Sequence, residues 1–516
     1  MSKVAKATIG LMIVTMISKV LGLGRELVLG TMYGASNYSD IYITTLNITQ
    51  TLFTGIGATL ITTFIPLYYE NQELGGENRA NKFANNIFNT VLICGIFVCL
   101  IGCIFAKPLV KVFAIGFDGN TLATAVKFTK VMIFGGIFIG INNIVTALLQ
   151  IKGNFTIPGI SSLPFNLVII ISIILSVKLK NIYILPIGTL IAMASQVLFQ
   201  YPFAHKEGYK YKLYIDPRDV YVRRMLILIA PIFIGVAVDQ INTMVDRTLA
   251  STLVEGSISA LNYANRLNGF VIGLFILSIG SVIYPVLSKL SLNDDKYKFM
   301  DTIVTSVNSV ILLTIPISVG AIVLATPIVK LIFQRGAFDE RATVMTSTAL
   351  VFYAIGIVGF GIREILNKVF YSLQDTKTPM INGIITVILN IVINLILVRI
   401  MGHGGLALAT SIAAIICTIL LIVSLKKKIG SFGQERIIKT LIKSLISALI
   451  MGVITIFVYK GMNNTLGLRF INEFIYLFGS IGIGVIVYGI LVIILRVEEI
   501  NIIINIIKQK INKKNK

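Results

Sequence analysis

From one end to the other, the chain alternates apolar stretches of about 20 residues with short polar loops, and this alternation leaves few folds open to it. A stretch of that length crosses the ~30 Å hydrocarbon core of a bilayer as an α-helix, whose backbone polar groups all bond internally. Breaks at Gly, Pro, Asn and charge clusters predict about fourteen spans, roughly 8–31, 39–67, 86–106, 123–150, 159–177, 182–203, 224–252, 261–289, 300–325, 342–371, 380–400, 404–425, 437–459 and 471–495. Composition agrees, with 56% hydrophobic and 13% charged residues against about 25% charged in soluble domains. The expected fold class is all-α, a polytopic membrane protein.

The net charge of +22 invites a nucleic-acid reading, which the placement of the charges argues against. Lys206, Lys210, Lys212, Arg218, Arg223 and Arg224 share one hydrophilic gap, and Lys426, Lys427, Lys428, Arg436 and Lys439 share another. Lys508, Lys510, Lys513, Lys514 and Lys516 end the chain, whereas the loops at 32–38, 253–260 and 461–470 carry little charge. That bias is the positive-inside pattern, so both termini are expected in the cytoplasm, with membrane lipids and not nucleic acid as surroundings. The run after Ala7 continues past Lys19 without a small-residue cleavage site and reads as a retained first helix. Cys94, Cys99, Cys103 and Cys417 lie in apolar runs and are expected to be small core residues, neither disulfides nor metal ligands.

The basic gap at 204–223 is the strongest internal boundary, and the segments on either side of it repeat. GRELVLGTMYGASNYSDIY from Gly24 matches DRTLASTLVEGSISALNYA from Asp246, which brings Arg25 onto Arg247 and Asp40 onto Asn262. LLQIKGNFTIPGISSLPFNLVI from Leu148 matches VFYSLQDTKTPMINGIITVILNIV from Val369. The expected organisation is a six-helix bundle at 1–203, a basic cytoplasmic linker at 204–223, a second six-helix bundle at 224–425, and an added helix pair with a basic tail at 426–516. Paired six-span repeats are the architecture of transporters that rock one half against the other.

An ionisable residue inside a span costs about 2.5–3.5 kcal/mol on insertion scales, so each one calls for a reason. Lys19, Arg25, Asp246, Arg247, Arg266, Arg363, Glu364 and Lys368 all fall inside predicted spans. Lys368 is expected to pair with Glu364 at i, i+4, and snorkelling competes for Arg25, Asp246 and Arg247. Several cations facing one cavity would suit an anionic ligand, and Arg binds phosphate oxygens in bidentate fashion, so a phosphorylated lipid is the expected cargo. Asp239, Asn390, Asn394 and Thr410 offer oxygen ligands of the kind Na⁺ takes, with interhelical hydrogen bonding as the alternative. No cofactor is expected beyond such a coupling ion, because Walker loops, paired carboxylates and metal-ligand spacings are absent from the sequence. The alternatives are a drug/cation antiporter, whose substrates a cationic cavity would repel, and a membrane-embedded transferase.

SKVLGLGRE from Ser18, YGASNYSDIY from Tyr33, NYANRLNGF from Asn262, FQRGAFDE from Phe333 and YSLQDTKTP from Tyr371 together resemble the lipid II flippases, the MurJ (MviN) family of the multidrug/oligosaccharidyl-lipid/polysaccharide exporter superfamily. The resemblance implies a monomer in the bacterial cytoplasmic membrane that moves undecaprenyl-pyrophosphate-linked peptidoglycan precursor to the outer leaflet by alternating access. A flippase for another polyprenyl-pyrophosphate saccharide is the runner-up. It implies that the family's cavity cations fall on Lys19, Arg25 and Arg266, its first-loop acid on Asp40 and its sodium site on Asp239, Asn390, Asn394 and Thr410. The chain departs from the pattern at NITQTLFTGIG from Asn47, where the family commonly has Arg, and at Asn394, where a second carboxylate is expected.

Overall fold

The computed structural model describes residues 3–292, 295–466 and 470–499, and every regular element among them is helical. Contacts group the chain into two compact units, 1–259 with 335–339, and 260–334 with 340–516.

The first unit holds α1 (Lys3–Tyr33), α2 (Asn37–Ile104), α3 (Ala106–Phe113), α4 (Gly119–Met132), α5 (Gly135–Ile151), α6 (Thr156–Ile160), α7 (Ser162–Lys178), α8 (Ile184–Lys206) and α9 (Val220–Ala250). Ser36 starts α2 with a capping box, its hydroxyl accepting from the Ser39 amide while the Ser39 hydroxyl accepts from the Ser36 amide. α2 is far too long for one crossing. It breaks at Gly75 and Gly76, where Gly76 takes φ +67°, a left-handed angle that glycine adopts without penalty. The two arms fold back on each other, stacking Phe64 on Phe83 with ring centroids 5.4 Å apart. α2 then packs on α4, α5 and α9, and α7 packs on α8 and α1.

The second unit holds most of α10 (Ser257–Val271), a π-turn at Ile272–Ile276, α11 (Leu277–Ser291), α12 (Lys296–Val323), α13 (Ala325–Phe333), α14 (Glu340–Ile355), α15 (Ile357–Ser372), α16 (Lys377–Ile429), α17 (Gln434–Leu466) and α18 (Phe470–Ile494). α16 is also a hairpin. It breaks at Gly402 (φ +56°), and the Asn382 amide on one arm donates to the Ser424 hydroxyl on the other at 3.1 Å. Nine segments among the described residues are long and apolar enough to cross a membrane, ten if the pair α14 and α15, bent by 42°, is one span. The hairpin α16 counts once among those nine.

The internal repeat is visible element by element. Asn37 and Ser257 open α2 and α10, Gly119 and Glu340 open α4 and α14, and the short helices α3 and α13 precede the latter pair, all at an offset of about 220 residues. The break between α7 and α8 corresponds to the break at Gly402, which leaves α17 and α18 outside the repeat.

Apolar side chains fill the interior and also cover outward helix faces. Ile388, Val392, Leu395 and Ile396 on α16, and Val485, Ile486, Ile490 and Ile493 on α18, are exposed, while Asn166, Asn308, Asn382 and Thr386 are buried. In a bilayer the apolar side chains face a matching solvent, and polar ones turn inward to bond between helices. Small residues let helices approach closely: a Cβ on Gly359 of α15 would sit 3.0 Å from the Ala414 backbone of α16. All four cysteines are free. Cys99 and Cys417 are buried as expected, but Cys94 is exposed beside Ile93, Ile96 and Phe97, because a weakly polar thiol loses little by facing lipid. Lys368 pairs with Glu364 at 3.2 Å, as the i, i+4 spacing predicts.

Between α8 and α9 the chain runs extended over residues 209–216, and asparagines of α2 fasten it down. Asn85 donates to the Lys210 carbonyl and accepts from the Lys212 amide, both at 3.0 Å. Asn86 brackets Asp216 in the same way at 3.0 and 2.8 Å. Asn89 donates to the Lys212 and Tyr214 carbonyls at 3.1 Å. The basic linker is thus a strap fixed to unit 1, and α9 packs there too, against α2 and α3.

Asp375, of the Tyr371 motif, seats the first turn of α16. Its carboxylate accepts from the Thr378 amide at 2.9 Å and its hydroxyl at 2.8 Å, and lies 2.5 Å from Lys428 at the end of the returning arm. The Lys428 ammonium and these donors hold the carboxyl at about 2, below the ordinary aspartate value. A carboxyl depressed in the folded state stabilises fully above its unfolded pKa of about 4, and that stability fades as pH falls from 4 towards 2. Asp375→Ala should cost roughly 1 kcal/mol at pH 7, the scale of a lost helix cap. Thermal unfolding in detergent should show Asp375→Asn lowering the midpoint at pH 7, with the gap to wild type narrowing at pH 3.

Candidate functional site

Arg25 lies in α1 six residues after Lys19, and the two differ in setting. Arg25 is 8% exposed, and its guanidinium bonds Glu26 Oε1 at 2.6 Å and faces the Phe165 ring at 5.7 Å. Lys19 is half-buried. The sequence suggests an unpaired cation at Arg25, and the structure supplies its counter-ion from the next residue. Glu26 is itself 3% exposed. A buried pair of this kind offsets two desolvation costs and leaves the site near neutral until another anion competes.

Asp40 in the first turn of α2 is buried as well, and its role is that of a latch. One carboxylate oxygen accepts from the Gly256 amide at 2.8 Å, the other from the Ser259 amide and hydroxyl at 2.7 Å each. Beside it the Asn37 amide donates to Glu255 at 2.7 Å. The turn after α1 is also held by the motif around Phe333, where the Ala337 amide donates to the Thr31 carbonyl at 2.8 Å. Gly34 (φ +64°) and Gly336 (φ +61°) make that approach feasible, since a Cβ on either would stand 2.3–2.4 Å from a backbone oxygen of the other segment. Two motifs some 300 residues apart therefore dock on each other, with Asp40 alongside. The spacing of glycines in each motif was the available signal, and nothing in the sequence named the partner.

Arg266 is exposed on α10, six residues before the π-turn, in unit 2. Helices often carry such π-turns at functional sites. Asn390 and Asn394 are buried on α16, with the Asn394 amide donating to Asn390 Oδ1 at 2.8 Å, and the Thr410 hydroxyl donating to the Leu406 carbonyl at 3.0 Å. Each of these bonds leaves the Asn390 Oδ1 and Thr410 Oγ1 oxygens a lone pair that a cation can take. Asp239 belongs to α9, and its side chain lies outside the described residues. No cluster of three or more His, Cys, Asp or Glu suited to a metal occurs among the described residues. At the departure from the family pattern, the Asn47 amide folds back on the Ile43 carbonyl of its own helix.

Removing the Asp40 carboxylate leaves two buried amides unsatisfied, which should cost about 1–3 kcal/mol. In Asp40→Ala, amide hydrogen exchange across 254–260 should speed up at least tenfold, while exchange in α7 stays as in wild type. Unchanged protection at 254–260 would show that the latch contributes nothing.

Comparison with known proteins places this geometry. The family model described as Lipid II flippase MurJ matches residues 29–477. A protein of Vibrio cholerae named as a probable lipid II flippase MurJ is 31% identical over 417 residues, 78% of each chain. The lipid II flippase MurJ of Burkholderia cenocepacia is 28% identical over 425 residues, 80% of this chain and 82% of its own. Among solved structures, a lipid II flippase MurJ in an inward closed conformation superposes with TM-score 0.80 at 29% identity, covering 94% of this chain and 98% of that one. An inward-facing MATE multidrug transporter of the MOP superfamily shares the fold at TM-score 0.66 and 14% identity. With the latch, the paired repeats and a match that runs from the end of α1 into α18, the chain belongs to the lipid II flippase MurJ family.

Proposed function

We propose that this chain carries lipid II, the undecaprenyl-pyrophosphate-linked precursor of peptidoglycan, from the inner to the outer leaflet of the cytoplasmic membrane by alternating access. In this reading it works as a monomer without chemical turnover, and both termini face the cytoplasm. The relatives' shared name supports the cargo over other saccharide lipids. The buried Arg25–Glu26 pair carries the mechanism.

A pyrophosphate brings more charge and more acceptor oxygens than one carboxylate, so it can take Arg25 from Glu26. The exchange replaces one buried pairing with another and leaves no guanidinium stranded in an apolar bundle. Lys19 and Arg266 serve as further cations for the headgroup, and the polyprenyl tail stays in lipid. Asp40 holds its turn until the headgroup is carried over and then must release Gly256 and Ser259. The membrane potential resets the empty carrier, with about 2.3 kcal/mol available per charge per 100 mV.

Arg25→Ala should lower delivery of lipid II to the outer face of proteoliposomes roughly 100-fold, the scale of about 3 kcal/mol in charge-assisted bonding. Glu26→Gln should hold lipid II more tightly while releasing it more slowly. Delivery by Arg25→Ala at the wild-type rate would overturn the proposal. Because Asp239 is the one carboxylate among the four candidate ligands, Na⁺ is held weakly, and replacing it by K⁺ at a clamped potential should change the rate less than twofold. Strict dependence on Na⁺ would return the coupling role to Asp239, Asn390, Asn394 and Thr410.

A further inference from the structure

Between the strap and α2 lies an open cavity of about 450 Å³ whose lining shares no residue with the latch or with Arg25. Asn71, Arg79 and Lys82 come from α2, Tyr214 and Arg218 from the strap, and Tyr221 from α9. The volume is that of a small-ligand site.

Its cations are positioned and not neutralised. Lys82 Nζ stands 4.5 Å from the centre of the Tyr214 ring, and the Arg79 guanidinium 5.9 Å from that of Tyr221. Arg79 spends its Nε on Asn71 Oδ1 at 3.3 Å, which leaves both terminal amino groups, the fork that holds a phosphate in bidentate fashion. Arg79, Lys82 and Arg218 form no ion pair with any described residue; of the nearby carboxylates, Glu70 pairs with Arg224 and Glu77 with Lys152. Asp219, the one acid in the lining, turns an oxygen to the Tyr221 and Val222 amides that open α9.

We infer that this cavity binds a phosphate group, presented either by the headgroup of an anionic phospholipid or by a soluble phosphate ester. Its depth points to the lipid. Tyr201, Tyr209, Tyr211, Tyr214 and Tyr221 crowd this segment as they do at the level of lipid headgroups. Along the same arm of α2, exposed Ile93, Ile96 and Phe97 mark the start of hydrocarbon about three turns beyond Lys82. The asparagine clamp gives the site a fixed shape, which a solvated run of lysines would lack.

Native mass spectrometry of the full-length protein with phosphatidylglycerol and with phosphatidylcholine tests this. Arg79→Gln/Lys82→Gln/Arg218→Gln should retain at least tenfold less phosphatidylglycerol than wild type. Lys426→Gln/Lys427→Gln/Lys439→Gln, which removes the same charge from exposed positions at the end of α16 and the start of α17, should retain it fully. Asn86→Ala keeps every cation but loosens the strap, and should also weaken retention, which net charge alone would not explain. Equilibrium dialysis with glycerol 1-phosphate forms the second arm, where binding abolished by the first triple variant would assign the site to a soluble ester. If that variant matches wild type in both arms, or the control loses as much as it does, the inference fails.

Discussion

Hydrocarbon offers a polar group nothing to bond to, so each donor and acceptor that enters the bilayer must find its partner within the protein. That constraint accounts for the long helices, and equally for where they stop. At Gly75, Gly76 and Gly402 the chain folds straight back, and the arms satisfy each other's side chains. It also accounts for the asparagines. Asn382 reaches Ser424 across the α16 hairpin, and Asn394 bonds Asn390 along one arm. Asn85, Asn86 and Asn89 satisfy an extended strap that has no ladder of its own.

The same constraint makes Arg25 informative. A buried guanidinium is not deprotonated in proteins, so it must be paired at all times. Glu26 meets that need at rest. A partner contributed by the adjacent residue stays near whether or not it is bonded, and a guanidinium so served can trade anions without passing through an unpaired state. This favours a site that handles a transient anion over one built to hold a permanent ion pair.

How much of this was legible beforehand depends on the reach of each signal. The helical character of the chain and the Glu364–Lys368 pair follow from local periodicity, and the structure returns both, with nine described segments long and apolar enough to cross a membrane. The linker at 204–223 reads as solvated from its charge, but its backbone partners sit on α2 more than 120 residues earlier, where three asparagines look like ordinary boundary residues. Glu26 stood in plain view within the Ser18 motif. Spacing does not mark it as a partner of Arg25, because i, i+1 neighbours on a helix point about 100° apart. The docking of Gly34 on the 335–339 turn has no local signature at all, since the positive φ is a property of each turn and the partner is a property of the fold.

The two repeats solve one problem with different residues. The turn after α5 is pinned by Lys152 reaching Glu77, and the equivalent turn after α15 by Asp375 reaching Lys428, with the charges exchanged. In both cases the pair ties a turn to the end of a distant helical arm, which a transporter needs if its halves are to move as rigid bodies and not fray at their connections. Charge at this level therefore does more than orient the chain across the membrane. Once a basic loop is fixed by neutral amides, as the strap is, its lysines and arginines no longer have to pair with acids to stay in place, and they are left to face whatever anion the membrane surface presents.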